Sequence, residues 1–248
     1  MMKCVVLGDS ISEGIGSKKL NYVTELSVKL GNKYTFVNLG KTGSTIRYPI
    51  SVLDAILEEC ADVVIIMYGS VDAQIRPNLD RNRFGLSKLV PARYKIGGML
   101  SPRAFYSEKW YRFLPDKLDN LFRYILKEFV LLTQGSVQWV HLDEFKEKYE
   151  ELVKTFIRTG VKKIVIVSTA YLDDKYFLNS TKEYIQYNAV LRDIANKYNA
   201  AYIDLFNLQK NVVEASGWNT IYSKDHFHPN FEGYKKISEI IIPYLTNI

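Results

Sequence analysis

Apolar positions along the chain follow two alternating periods. Cys4-Val5-Val6-Leu7 is apolar at every position, as expected of a strand covered on both faces. Val23, Leu26 and Leu30 then recur at helical spacing, and Gly31 ends that helix. Tyr34–Leu39 reads as a second strand. Pro49 opens a helix whose inner face is Ile50, Leu53, Ile56, Leu57 and Cys60. Val63–Tyr68, the most apolar run, is a third strand; Lys163–Val167 is a fourth and Ala201–Leu205 a fifth. Between the last two, Tyr184, Tyr187, Leu191, Ile194 and Tyr198 mark a helix. A final helix carries Phe231, Tyr234, Ile237, Ile241 and Tyr244.

Strands separated by helices require crossover connections, so the pattern predicts an α/β fold with a five-stranded parallel sheet between helical layers. Ligands then bind beyond the carboxyl ends of the strands. One connection breaks the rhythm. Residues 73–142 are far longer than an ordinary loop, and Pro77, Pro91, Pro102 and Pro115 punctuate them. Within them a helix follows Pro115, with Leu118, Leu121, Phe122, Ile125, Phe129 and Leu132 on one face. A second helix uses Phe145, Tyr149, Leu152 and Phe156. The expectation is one domain over 1–248, with 73–142 as a lid-like insertion over the active end.

Composition changes little in this picture. Of 248 residues, 47% are hydrophobic and 24% charged, as in an ordinary globular protein. No apolar run is long enough for a membrane-spanning helix, and the N-terminus is a poor signal peptide. Cys4 and Cys60 sit at apolar-patterned positions and read as reduced core thiols. Together these place the chain in the cytoplasm. The net charge of +6 is localised, because residues 76–117 carry ten basic and three acidic side chains. No nucleic-acid motif accompanies this excess, which instead suits an anionic substrate. Nothing in the sequence speaks to oligomeric state.

Candidate chemistry lies at the strand ends. Gly8-Asp9-Ser10 follows the first strand and exposes a serine at the top of the sheet, though a serine there also simply caps a helix. Gly40, after the second strand, can offer an unobstructed N–H to an oxyanion; a loop needing positive φ would also select it. Asp225-His226-Phe227-His228-Pro229-Asn230 precedes the last helix. An Asp three residues before a His can fold back onto Nδ1–H and leave Nε2 to accept a serine proton. An Asp/Asn-capped turn with surface histidines is the plainer alternative. His226 is off that spacing, and His141 reads as structural. Asp9, Asp225, His226 and His228 lack a familiar metal-ligand pattern, and no cofactor is implied.

Taken in this order, Gly8-Asp9-Ser10, Gly40 and Asp225-x-x-His228 resemble the GDSL/SGNH hydrolase family over the whole length apart from the insertion. The resemblance implies a flavodoxin-like three-layer α/β/α fold and a serine esterase. Ser10 would be the nucleophile, His228 the base and Asp225 its partner, with the Ser10 and Gly40 N–H groups as oxyanion hole. One position departs. Where the family has Gly-x-Asn-Asp, this chain has Gly69-Ser70-Val71-Asp72, and valine provides no donor. Arg76 or Gln74 could replace it, and Asp9, Gln74 and Arg76 are candidate substrate contacts. The substrate expected is a short-chain acyl ester, above all an O-acetyl ester of a carbohydrate, for which Tyr94, Tyr106, Trp110 and Tyr111 supply flat ring faces. Two alternatives stay open: an O-acyltransferase with the same triad, and a catalytically idle carbohydrate-binding relative.

Overall fold

The apolar runs pair side by side. The computed structural model describes residues 1–17, 20–79, 90–91, 110–177 and 180–246. Its strands are β1 (Met2–Gly8), β2 (Tyr34–Asn38), β3 (Val63–Met67), β4 (Arg76–Pro77), β5 (Ser136–Val137), β6 (Lys163–Val167) and β7 (Ala201–Ile203). Five form one sheet in the order β2-β1-β3-β6-β7, every pair parallel. β4 and β5 form a separate antiparallel ladder, Arg76 opposite Val137 and Pro77 opposite Ser136, which fastens the two ends of the insertion together.

Side chains alternate across the sheet, so each strand contributes to two cores. Val5, Leu7, Val64, Ile66, Ile164 and Ile166 face one layer, packing with Phe145, Tyr149, Leu152 and Leu191. Cys4, Val6, Val63, Ile65, Met67 and Val165 face the other, against Val23, Leu26, Tyr234 and Ile237. The helices supplying those layers are α1 (Ser10–Glu13), α2 (Tyr22–Leu30), α3 (Arg47–Ser51), α4 (Leu53–Leu57), α5 (Phe113–Gln134), α6 (Leu142–Arg158), α7 (Ser180–Lys197), α8 (Leu205–Ser216) and α9 (Phe231–Thr246). This is the three-layer α/β/α sandwich expected, and the sheet order reverses direction between β1 and β3.

Several local expectations are corrected. The helix at Pro49 is two five-residue pieces, broken where Val52 takes φ −122°, ψ 25°. Cys60 is exposed at φ 49°, in the turn before β3, and is not a core thiol. The fifth strand stops at Ile203, because the Asp204 side chain accepts the Asn207 N–H and starts α8. Phe231 is exposed at the start of α9, where Asn230 accepts the Gly233 N–H as a cap. His141 is exposed just ahead of α6.

Helix α5 turns its apolar face outward. Leu118, Leu121, Phe122, Ile125, Phe129 and Leu132 are exposed, and Arg123, Lys127, Val130 and Gln134 are buried. Arg123 and Lys127 each bring a polar contact with them. Arg123 Nε donates to Asp119 Oδ2 at 2.6 Å, and Lys127 Nζ reaches the Tyr176 carbonyl at 3.4 Å. Burial lowers the Lys127 pKa to about 8. Val130 packs with Val90, Leu79 and Leu126 in a small satellite core. Of the basic stretch, Arg81, Arg83, Lys88, Arg93, Lys95, Arg103 and Lys109 lie outside the described residues, as do Tyr94, Tyr106 and the Trp110 side chain.

Candidate active site

The reversal of strand order between β1 and β3 opens a crevice at the carboxyl end of the sheet. Ser10 is the first residue after the turn leaving β1. Asp9 shapes that turn: its Oδ1 accepts the Ile11 N–H at 2.9 Å and caps α1. The cap leaves Asp9 1% exposed, with no face open to a substrate. Burial raises its pKa to about 6, although the Ile11 N–H and the nearby His228 pull the other way.

The other half of the site comes from the far end of the chain. Tyr222 bridges Pro229 across a tight loop, and Ser223 N–H donates to the His228 carbonyl at 2.8 Å. Within the loop, Asp225 Oδ1 accepts the N–H groups of Phe227 and His228 at 3.1 and 3.0 Å. Its Oδ2 lies 2.6 Å from His228 Nδ1, and His228 Nε2 lies 2.9 Å from Ser10 Oγ. Ser10, His228 and Asp225 are thus one hydrogen-bonded chain. A hydroxyl so placed can pass its proton to Nε2 while it attacks a carbon, with the carboxylate holding the imidazole tautomer. Gly16 lets the two halves close. At φ +100° its Cα lies so near that an added Cβ would stand 2.8 Å from His228 Cβ and 2.7 Å from the Pro229 carbonyl.

Gly40 lies on the loop after β2, pressed against α1: a Cβ there would meet the Glu13 nitrogen at 2.7 Å. Its N–H donates to Asn38 Oδ1 at 3.0 Å, and Asn38 Nδ2 donates to the Ser12 carbonyl at 2.8 Å. An oxyanion using Gly40 would therefore compete with Asn38.

After β3, Gly69 turns at φ +127°, and Asp72 folds back under it. The Asp72 carboxylate is fully buried and accepts the N–H groups of Ile46 at 2.8 Å and Gly69 at 3.1 Å. It so ties the loops after β2 and β3 together. Burial raises its pKa to about 7, and the charge of Asp9 adds to the rise. Val71 contributes only aliphatic carbon. Arg76 stacks its guanidinium over the Trp139 ring at 3.9 Å, on the β4–β5 ladder. Gln74, half-buried, is on the segment between Asp72 and β4.

One feature of the site had no signature in the sequence. His226 takes φ 52°, a conformation costly for a residue with a Cβ. Asp173 meets its Nδ1 at 2.7 Å, and Trp218 stacks on its ring at 4.9 Å and 5°. Trp218 is itself stacked on Tyr171 at 5.0 Å and 7°. Three elements distant in sequence thus hold the residue between Asp225 and Phe227. Among the described residues, no group of three or more His, Cys, Asp or Glu side chains is gathered for a metal ion. No helix among them is long and apolar enough to cross a membrane.

Ser10, His228 and Asp225 meet at the carboxyl end of an α/β/α sheet, and comparison with known proteins gives the chain a family. The model of the GDSL-like lipase/acylhydrolase family matches residues 6–236. The chain belongs to that family and is a carboxylic-ester hydrolase. Among solved structures, variants of Axe2, an acetylxylan esterase from Geobacillus stearothermophilus, superpose with TM-score 0.63 at 17% identity, covering 98% of this chain and 93% of theirs. LAE5, an α/β hydrolase from the metagenome of Lake Arreo in Spain, gives 0.64 at 18% identity, with 98% and 94% covered. A lipase/acylhydrolase from Enterococcus faecalis gives 0.63 at 18% identity, with 99% and 95% covered. No curated protein matches the chain in sequence.

The two buried carboxyls make stability depend on pH. Their pKa values in the fold, about 6 for Asp9 and about 7 for Asp72, exceed the 3.8 of a free Asp. Both therefore favour the fold while protonated. The contribution is complete below about pH 4 and is lost as pH rises through 6 to 7. Asp72→Asn, which cannot ionise, should gain on the wild type steadily from pH 4 to 8 when melting temperatures are compared. A constant difference across that range would show that Asp72 stays ionised in the fold.

Proposed function

We propose that the protein is a serine esterase of short-chain acyl esters, working through Ser10, His228 and Asp225, and that its substrate class is the O-acetyl esters of carbohydrates. The observation that carries the mechanism is the continuous path from Ser10 Oγ to His228 Nε2 at 2.9 Å and from His228 Nδ1 to Asp225 at 2.6 Å. Ser10 Oγ attacks the ester carbonyl and His228 takes its proton. The Ser10 and Gly40 N–H groups stabilise the oxyanion, Gly40 releasing Asn38 to do so. The protonated His228 then gives its proton to the departing alcohol. Water repeats the sequence in reverse and frees the acid. The substrate class is supported by likeness in fold to an enzyme described as an acetylxylan esterase.

Val71 favours a second reading. A hole short of one donor loses about a hundred- to a thousandfold in rate. An acceptor alcohol bound beside the acyl-enzyme could then outcompete water, making the chain an O-acyltransferase. Supplying an acceptor sugar along with an acetylated donor, and following free acetate against transferred acetate, separates the two.

Ser10→Ala and His228→Ala should each lower hydrolysis of a small aryl acetate by roughly four to six orders of magnitude, because triad members act as a unit. His226→Ala should cost less than about tenfold, since His226 meets Asp173 and not Ser10. Turnover by Ser10→Ala near the wild-type rate would remove the mechanism, and a reversed order of the two histidines would reassign the base.

Val71→Asn should raise aryl-acetate turnover, by up to about a hundredfold if the amide reaches the oxyanion. An unchanged rate would mean that the Gly69–Asp72 turn forms no part of the hole. Panels of acetylated sugars, compared with longer acyl esters by kcat/KM, test the substrate class.

A further inference from the structure

The loop that carries Asp225 and His228 holds a second carboxylate–imidazole pair. His226 Nδ1 lies 2.7 Å from Asp173 Oδ2, and both side chains are mostly buried, at 20% and 17% exposed. Asp173 is itself fixed. Its Oδ1 accepts the Lys175 N–H at 2.9 Å, and its carbonyl accepts those of Tyr176 and Phe177 at 2.9 and 3.0 Å. The His226 ring is pinned as firmly, because Trp218 lies flat on it at 4.9 Å and Tyr176 meets it edge-on at 5.3 Å. A neutral imidazole that donates its Nδ1–H to Asp173 keeps a lone pair on Nε2. That nitrogen meets no partner among the described residues, and burial does not close it off. His226 therefore presents one oriented acceptor.

The backbone shows that this orientation is specified at a cost. Glycine would be unstrained at φ 52°, whereas a residue with a Cβ is not. Strain of this kind persists where a side chain is needed in one place, and it concentrates at ligand-binding turns.

The place is beside the reaction. His226 is two residues from His228, so their Cα atoms are at most about 7 Å apart. Phe227, between them, touches the His228 ring at 4.9 Å and Phe177 at 5.1 Å. The loop after β6 thus grips the His228 loop at two successive residues, through Asp173 and through Phe177. Both loops stand at the carboxyl end of the sheet, where ligands bind. An ester attacked by Ser10 must turn its departing oxygen toward His228, which returns the proton. The alcohol half of the substrate consequently falls on the side of the His226 loop. A neutral, oriented acceptor there fits a hydroxyl, and neither an anion nor an apolar chain.

We propose that His226, held by Asp173 and Trp218, is a specificity residue that accepts a hydrogen bond from a free hydroxyl next to the scissile ester, so that acetylated polyols are selected over plain acetates. The inference rests on Ser10 and His228 acting as proposed above, and it names the part of the substrate that they leave unspecified.

Cyclohexyl acetate and its trans-2-hydroxy derivative carry the same ester and differ by one neighbouring hydroxyl, set as on a sugar ring. In the wild type, kcat/KM should favour the hydroxy ester by about tenfold, the worth of one well-placed hydrogen bond. His226→Ala and Asp173→Ala should each bring that ratio close to one, whatever they do to the absolute rates. A loop that had merely lost order would slow both esters alike and leave the ratio standing. An unchanged ratio in His226→Ala would overturn the proposal, as would a wild type without preference. Should His226→Ala fail to fold, His226→Gly, unstrained at this φ, supplies the same comparison. Failure of the esterase reading would show differently, as undiminished turnover of both esters by Ser10→Ala, and would take the inference with it.

Discussion

Parallel pairing of β1 with β3, in a register that sets Gly8 beside Met67, brings two loop-bearing strand ends together at the point where the sheet order reverses. Chains leaving β1 and β3 must turn into opposite helical layers, and the gap between them is where a serine and a long inserted segment both start. Asp72 stabilises that gap. Its buried carboxylate collects N–H groups from the loop after β2 and from Gly69, so neither loop can shift without leaving a charge or a proton unsatisfied. Asp9 does the same for the turn into α1. The Ser10–His228–Asp225 geometry rests on two carboxyls that are themselves buried.

The sequence carried the sheet and the proposed triad with little loss, and the reasons are physical. β3 is buried at all five positions, and its unbroken Val-Val-Ile-Ile-Met run reports that directly. Asp225 and His228 are three residues apart, so their contact is local and the spacing alone implies it. Strand limits were harder. Tyr34 opens β2 as expected, but Leu205 looks like the end of a strand and is the start of a helix, because the Asp204 cap outweighs one more apolar side chain. Cys60 read as core from its period, yet a positive φ in the turn to β3 turns it outward.

Contacts built from distant segments left no trace. Asp173, Trp218 and His226 come together only through the packing of three loops, and no spacing encodes that. The apolar face of α5 was legible in the sequence, but its surroundings were not. Period identifies an apolar face but not what lies against it. The structure gives the inner face to Arg123, Lys127 and Gln134 instead.

Ser10 and His228 are 218 positions apart, yet they touch. A ribosome would release the nucleophile early and its proposed base only after more than two hundred further residues. Until α9 docks beside α2, the serine is an ordinary alcohol, without a base to take its proton. Gly16, which admits the His228 loop, and Asn230, which starts α9, are therefore residues that govern timing as well as shape. Under the proposed mechanism, topology protects the half-made chain from its own chemistry: activity is the last property the growing polypeptide acquires, and partial chains that lack the final loop would keep the serine without its proposed base.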